Sequence, residues 1–256
     1  MELHHKIIGQ GDPVIVLHGL FGALDNWQTV GKMLGEGYQV FLIDQRNHGR
    51  SPHFPEHNFQ AMADDLAYFM EYNWIHHTHL IGHSMGGKAA MQFALQHAEK
   101  VGKLVVVDIG PKAYASGHEP IFEALLSIDL STVTEREQVE AHLRGHMSEY
   151  GVIQFLMKNL SRSKDGIYHW KMNLPVLKDQ YADILVELKS DTPFEGPTLF
   201  IRGEKSRYIL DEDWPGILEL FPNARLATIS GAGHWVHADA PKELLELVRQ
   251  FIANAV

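Results

Sequence analysis

Six short apolar runs, each closed by Gly, Asp or Pro and separated by helical patterns, constrain this chain most tightly. They are Val14 to Leu17, Val40 to Ile43, Leu80-Ile81, Leu104 to Val107, Leu199 to Ile201 and Arg225 to Ile229. Short runs rich in Val, Ile and Leu are how buried parallel strands read. Between them lie helical patterns over Asn26 to Leu34, Phe59 to Tyr72, Gly87 to Ala98, Trp214 to Leu220 and Pro241 to Ala253. Strand–helix alternation predicts an α/β fold with a doubly wound, mostly parallel sheet and right-handed crossovers. The alternation stops between Pro111 and Pro197. Amphipathic patterns there cover His118 to Ile128, Thr134 to Met147 and Tyr150 to Leu160. A turn at Asp165-Gly166 follows, then Ile167 to Met172 and an apolar run from Leu174 to Leu177. The expected organisation is a core of residues 1–111 and 197–256, with residues 112–196 as a helical cap inserted over the C-terminal strand ends, where ligands bind in such sheets.

Bulk properties narrow the chemistry. At 256 residues the chain suits one large α/β domain with an inserted segment, and its 45% apolar and 21% charged content is ordinary for a globular protein. A formal net charge of −10 disfavours a nucleic-acid backbone or an anionic membrane surface as partner. With no cysteine, disulfides, thiolate metal sites and a cysteine nucleophile are excluded. The segment Met1 to Gly11 has no apolar core of signal-peptide length, and no run approaches the roughly 18 apolar residues of a membrane span, so a cytoplasmic location is expected. The histidine clusters His4-His5 and His76-His77-His79 lack a helical i, i+4 pair beside an acid and are expected to be solvated; no metal and no cofactor is expected.

The chemistry concentrates at Gly82-His83-Ser84-Met85-Gly86, directly behind an apolar run and before a helical one. Gly-x-Ser-x-Gly in that context is a nucleophile elbow, a tight strand-to-helix turn that presents a serine hydroxyl. Serine is a poor nucleophile at neutral pH. It needs a base, and the base needs a carboxylate to fix its tautomer and stabilise its cation. With the chain order Ser, acid, His, the base falls late. His234 in Ser230-Gly231-Ala232-Gly233-His234-Trp235 fits, and His237 is its competitor, expected to begin the final helical region and face away. For the acid, Asp108 closes the run Val105-Val106-Val107, where burial demands a partner. The rival is Glu204, in Gly203-Glu204-Lys205-Ser206, where many hydrolases of this type carry an Asp at the position held here by Ser206. An oxyanion hole requires two preset backbone N–H groups. Met85, after the nucleophile, supplies one. Leu20, just past His18-Gly19, is expected to supply the other, with Phe21 the next choice.

Across essentially its whole length the chain resembles the α/β-hydrolase superfamily, and within it the YbfF-type esterases. The matching segments are Leu17-His18-Gly19-Leu20-Phe21-Gly22, Asp44-Gln45-Arg46-Asn47-His48-Gly49-Arg50-Ser51, Gly82 to Lys88, Val107 to Pro111 and Gly231 to His237. The resemblance implies hydrolysis of acyl esters or thioesters under a helical cap, with the acid at Asp108. The loop Asp44 to Ser51 is expected to brace the oxyanion loop, and Lys88 to be solvated or to meet an anionic acyl group. Phe21, Phe122, Leu156 and Trp235 are the candidate substrate contacts. Serine at the elbow argues against dehalogenase and epoxide-hydrolase chemistry. The remaining alternatives are carbon–carbon bond hydrolysis, cofactor-free perhydrolysis, and a ligand receptor without turnover. The sequence sets neither acyl chain length nor oligomeric state.

Overall fold

The computed structural model describes residues 1–253. In chain order its elements are β1 (His5–Ile8), β2 (Pro13–Leu17), α1 (Gln28–Leu34), β3 (Gln39–Ile43), α2 (Phe59–Tyr72), β4 (Thr78–His83), α3 (Met85–Gln96) and β5 (Val101–Val107). The segment after β5 holds α4 (Glu119–Leu126), α5 (Arg136–Arg144), α6 (Tyr150–Met157), β6 (Leu160–Arg162), β7 (Tyr168–Trp170) and α7 (Leu174–Asp179). Then come β8 (Thr198–Gly203), α8 (Trp214–Leu220), β9 (Ala224–Ile229), α9 (Val236–Asp239) and α10 (Pro241–Ala253).

The sheet has seven strands in the order β1-β3-β2-β4-β5-β8-β9. All neighbours are parallel except the edge strand β1, which runs antiparallel to β3. This is the doubly wound, mostly parallel sheet that the strand–helix alternation predicts. Its central strands carry side chains buried on both faces, which is why they read as unbroken apolar runs. One apolar cluster joins Val14, Val16, Leu42, Val105 and Ile201 to Leu34 of α1 and Leu244 and Val248 of α10. The other joins Ile15, Leu80 and Val106 to Phe69 of α2 and Phe93 of α3, and continues without a break into Phe122, Leu143, Leu156 and Leu177 of the insertion. The insertion therefore shares its core with one face of the sheet.

Several local expectations are corrected. The helix expected to reach Leu160 stops at Met157, and Leu160 and Tyr168 belong to a small antiparallel hairpin, β6 with β7. Strands of three residues are too short to produce a legible period. The histidine clusters are only partly solvated. His5 sits in β1 with its ring 5.0 Å from that of Phe69. His79 lies in β4, where burial lowers its pKa to about 4. Among the described residues, no helix is long and apolar enough to cross a membrane.

Candidate active site

Strand register assembles the site. His83 pairs with Val107 and Val107 with Ile201, so three neighbouring strands end side by side. The ladder runs one residue further: Ser84 N–H donates to Val107 O at 3.0 Å and Asp108 N–H to Ile201 O at 2.7 Å. Ser84 and Asp108 thus leave adjacent strand ends, and both do so strained, at φ +52° and +53°. At the elbow a Cβ on Gly82 would lie 2.2 Å from Gly86 O, and one on Gly86 would lie 2.5 Å from Leu17 O. Backbone blocks both positions, so only glycine fits.

His234 closes the constellation. Its Nε2 lies 3.0 Å from Ser84 Oγ and accepts from that hydroxyl. Its Nδ1–H donates to Asp108 Oδ2 at 2.7 Å. The Asp108 carboxylate is fully buried and accepts two further bonds: Gly203 N–H donates to Oδ1 at 3.0 Å, and the Ser206 hydroxyl donates to Oδ2. The rival acid is elsewhere. Glu204 is exposed and accepts from Ser230 Oγ and Gly231 N–H at 2.8 and 2.7 Å, bonds that also lower its pKa, the Gly231 amide most. Glu204 therefore ties the turn before His234 to the loop after β8.

The rival base is also occupied. His237 is buried in α9, stacked on Trp27 at 4.8 Å and 15°, and burial lowers its pKa to about 3. Between it and His234 stands His83, whose Nε2–H donates to the His234 carbonyl at 2.9 Å. Burial and the neighbouring histidines hold His83 well below the usual imidazole range. A neutral imidazole thus anchors the loop that carries His234.

The loop after β2 is braced from below by the segment Asp44 to Ser51. Asp44 accepts from Leu24 N–H at 2.7 Å and Arg50 N–H at 2.9 Å. Gln45 N–H donates to His18 Nε2 at 3.0 Å, while the Gln45 side-chain amide donates to His18 O at 2.6 Å. His48 is buried, and desolvation holds it neutral. Its Nδ1–H donates to Arg46 O at 2.9 Å, leaving Nε2 to accept from Phe21 N–H at 3.3 Å. From the insertion, Asn159 Nδ2 donates to Phe21 O at 2.5 Å. The Phe21 N–H and carbonyl are therefore both engaged, while Leu20 and Ser84 border the same cavity. Met85 opens α3 as its first residue, where a helix leaves N–H groups unpaired.

Two lobes of a cavity meet above Ser84 and His234. One, of about 490 Å³, is bounded by Met85, Lys88, Tyr114, Ile184 and Tyr208. The other, of about 570 Å³, is bounded by Phe21, Val152, Phe155, Leu156 and Trp235. Leu20, Gly117, His118 and Tyr208 border both. Of the candidate substrate contacts, Phe21, Leu156 and Trp235 face this space. Phe122 does not: it is buried 4.9 Å behind Phe21 and 5.3 Å from Tyr181, on the core side of α4. Lys88 is not solvated either. It is 1% exposed, its Nζ donates to Lys112 O at 2.6 Å and to Val186 O, and burial lowers its pKa to about 8. Sequence reasoning singled out neither Tyr208 nor His118. Tyr208 stacks on His234 and His118 meets Tyr181, contacts 26 and 63 residues apart in the chain that no local motif announces.

The sheet order, the elbow and the loop geometry are those of an α/β hydrolase, and the chain belongs to the α/β-hydrolase fold family, whose profile matches residues 12–143. Among its relatives, Esterase YbfF of Escherichia coli (strain K12) is 40% identical over 241 residues, covering 94% of this chain and 92% of that protein. The sn-1-specific diacylglycerol lipase ABHD11 of Danio rerio is 40% identical over 254 residues, 95% of this chain and 80% of that one. The solved structure of a marine microorganism esterase superposes with a TM-score of 0.96 at 42% identity, over 98% of this chain and 99% of its own.

Proposed function

We propose that the chain hydrolyses carboxylic esters or acyl thioesters through Ser84, His234 and Asp108. The carrying observation is the unbroken hydrogen-bond chain from Ser84 Oγ to His234 at 3.0 Å and on to Asp108 at 2.7 Å, at the junction of a two-lobed cavity. The esterase and lipase names of relatives near 40% identity support the same reading. In it, His234 Nε2 takes the Ser84 proton as Oγ bonds to the acyl carbon. The Leu20 and Met85 N–H groups hold the oxyanion. His234 then returns the proton to the departing alcohol or thiol. Water, deprotonated by the same imidazole, attacks the acyl-enzyme and releases the acid. Asp108 fixes the Nδ1–H tautomer and stabilises the imidazolium. Residues 112–196 act as a cap whose α6 residues bound the lobe beside Phe21 and Trp235.

The test is a panel of p-nitrophenyl esters and acyl-CoA thioesters of graded length with the native chain and Ser84→Ala. The substitution should lower kcat by about 10⁶-fold and abolish labelling by a fluorophosphonate probe. Turnover retained in a folded Ser84→Ala protein, or labelling at another residue, would sink the assignment. The chain-length profile and the ester-to-thioester ratio define the substrate class.

A further inference from the structure

Tyr208 lies face to face with the imidazole of His234, with ring centroids 3.9 Å apart and planes 17° from parallel. The loop after β8 places it there. Tyr208 N–H donates to Ser206 Oγ at 3.2 Å, and that same hydroxyl donates to Asp108. Tyr208 O accepts from the Tyr114 hydroxyl at 2.7 Å, which in turn accepts from Gly110 N–H at 2.7 Å. The stack is thus fastened at both ends to the loops that hold the acid. The nearest competing ring, His83, is 4.8 Å from His234 and tilted by 42°.

We propose that Tyr208 is a positioning residue that stabilises the His234 imidazolium through the face of its ring. The inference rests on His234 carrying the Ser84 proton. Before that transfer the two rings make a neutral stack. When Ser84 Oγ bonds to the acyl carbon, its proton moves to His234 Nε2 and a cation forms 3.9 Å from the electron-rich phenol face. The interaction is stronger in the charged transition state than in the resting enzyme, which is the condition for raising kcat rather than binding. Asp108 supports the cation in the ring plane at Nδ1, and Tyr208 supports it from above. Acylation and deacylation both pass through the imidazolium, so both gain.

The experiment varies ring electron density at constant shape. Tyr208→Phe keeps the stack and should retain kcat within about threefold, whereas Tyr208→Leu should lose about tenfold in kcat with KM little changed. Replacing position 208 by mono-, tri- and pentafluorinated phenylalanine should then lower kcat for p-nitrophenyl butyrate stepwise as the ring face loses negative potential. Packing or positioning of shape alone would leave the fluorinated series flat. A flat series, or losses confined to KM, overturns the inference. The reading beneath it fails separately: retained turnover in Ser84→Ala and His234→Ala would remove the imidazolium itself, whereas inactive Ser84→Ala with a flat fluorine series removes only the role of Tyr208.

Discussion

Lys88 should make this protein more stable as the solution becomes alkaline. Its side chain lies at the first turn of α3, 1% exposed, with the Phe59 and Tyr114 rings 5.5 and 5.0 Å from Nζ. Burial lowers its pKa from 10.5 to about 8, only partly opposed by Glu187. Nζ gives two hydrogen bonds, to Lys112 O and Val186 O, and a neutral amine still has two N–H groups, so losing the proton sacrifices neither. Since the folded pKa lies below the unfolded one, the unfolded chain binds more protons between those values. Stability therefore rises with pH through the window, is complete above the unfolded pKa, and is lost as pH falls through about 8. At about 1.4 kcal/mol per unit the full effect is about 3 kcal/mol, of which about 2 kcal/mol appears between about pH 7 and pH 9.5. Lys88→Met removes the titration and strands two carbonyls. Near neutrality these terms oppose each other, because relief of a buried charge offsets unpaired acceptors of about 1–3 kcal/mol each. Urea unfolding of both proteins at the two pH values isolates the group, since other titrations cancel in the difference. The advantage of the native chain over Lys88→Met should grow by about 2 kcal/mol at the higher pH. A difference that stays flat or shrinks would mean that the ammonium is not held in a dry site.

Two further outcomes follow from the site. Asp108→Asn should lower kcat by about 10⁴-fold by leaving the wrong imidazole tautomer, while Glu204→Gln should cost far less because Glu204 contacts the Ser230-Gly231 turn and not His234; steady-state kinetics of the two variants decide it, and reversed losses would move the acid to Glu204. Phe122→Ala should destabilise the protein by about 3–5 kcal/mol with little change in chain-length preference, whereas Leu156→Ala should shift that preference by about 1–3 kcal/mol per methylene; thermal denaturation paired with kcat/KM across acyl lengths separates the two, and a uniform loss for Leu156→Ala at every length would remove it from the pocket.

What the sequence made legible was whatever local pattern encodes. The central strands β2, β3, β4, β5 and β8 are apolar because neighbours cover both faces, and the elbow glycines are dictated by backbone 2.2 and 2.5 Å from where a Cβ would stand. The edge strand β1 escaped notice because Lys6 and Ile7 are exposed and only one neighbour pairs with it. Spacing puts Leu20 ahead of Phe21 for the oxyanion loop but says nothing of the bond that occupies the Phe21 N–H, which comes from His48, 27 residues away. Solvation of Lys88 fails for a similar reason: nothing in Met85-Gly86-Gly87-Lys88 signals that the Lys112 and Val186 carbonyls will accept from the amine. Phe122 and Leu156 both sit on amphipathic helices, and helical periodicity separates inside from outside, but not core from pocket wall.

The contact between Ser206 and Asp108 has a consequence for how such a site can be rewritten. The parallel pairing of β5 with β8 brings the residue after one strand and the loop after the next to a single point in space, and either backbone can deliver the charge there. In this chain one backbone carries the carboxylate and the other a hydroxyl that donates to it. The two residues meet in space though 98 positions apart in sequence. An exchange that moves aspartate to 206 and a small donor to 108 would preserve the negative charge beside His234 while altering both addresses. Homologous enzymes can thus disagree about which residue is the acid and still agree about where the acid is.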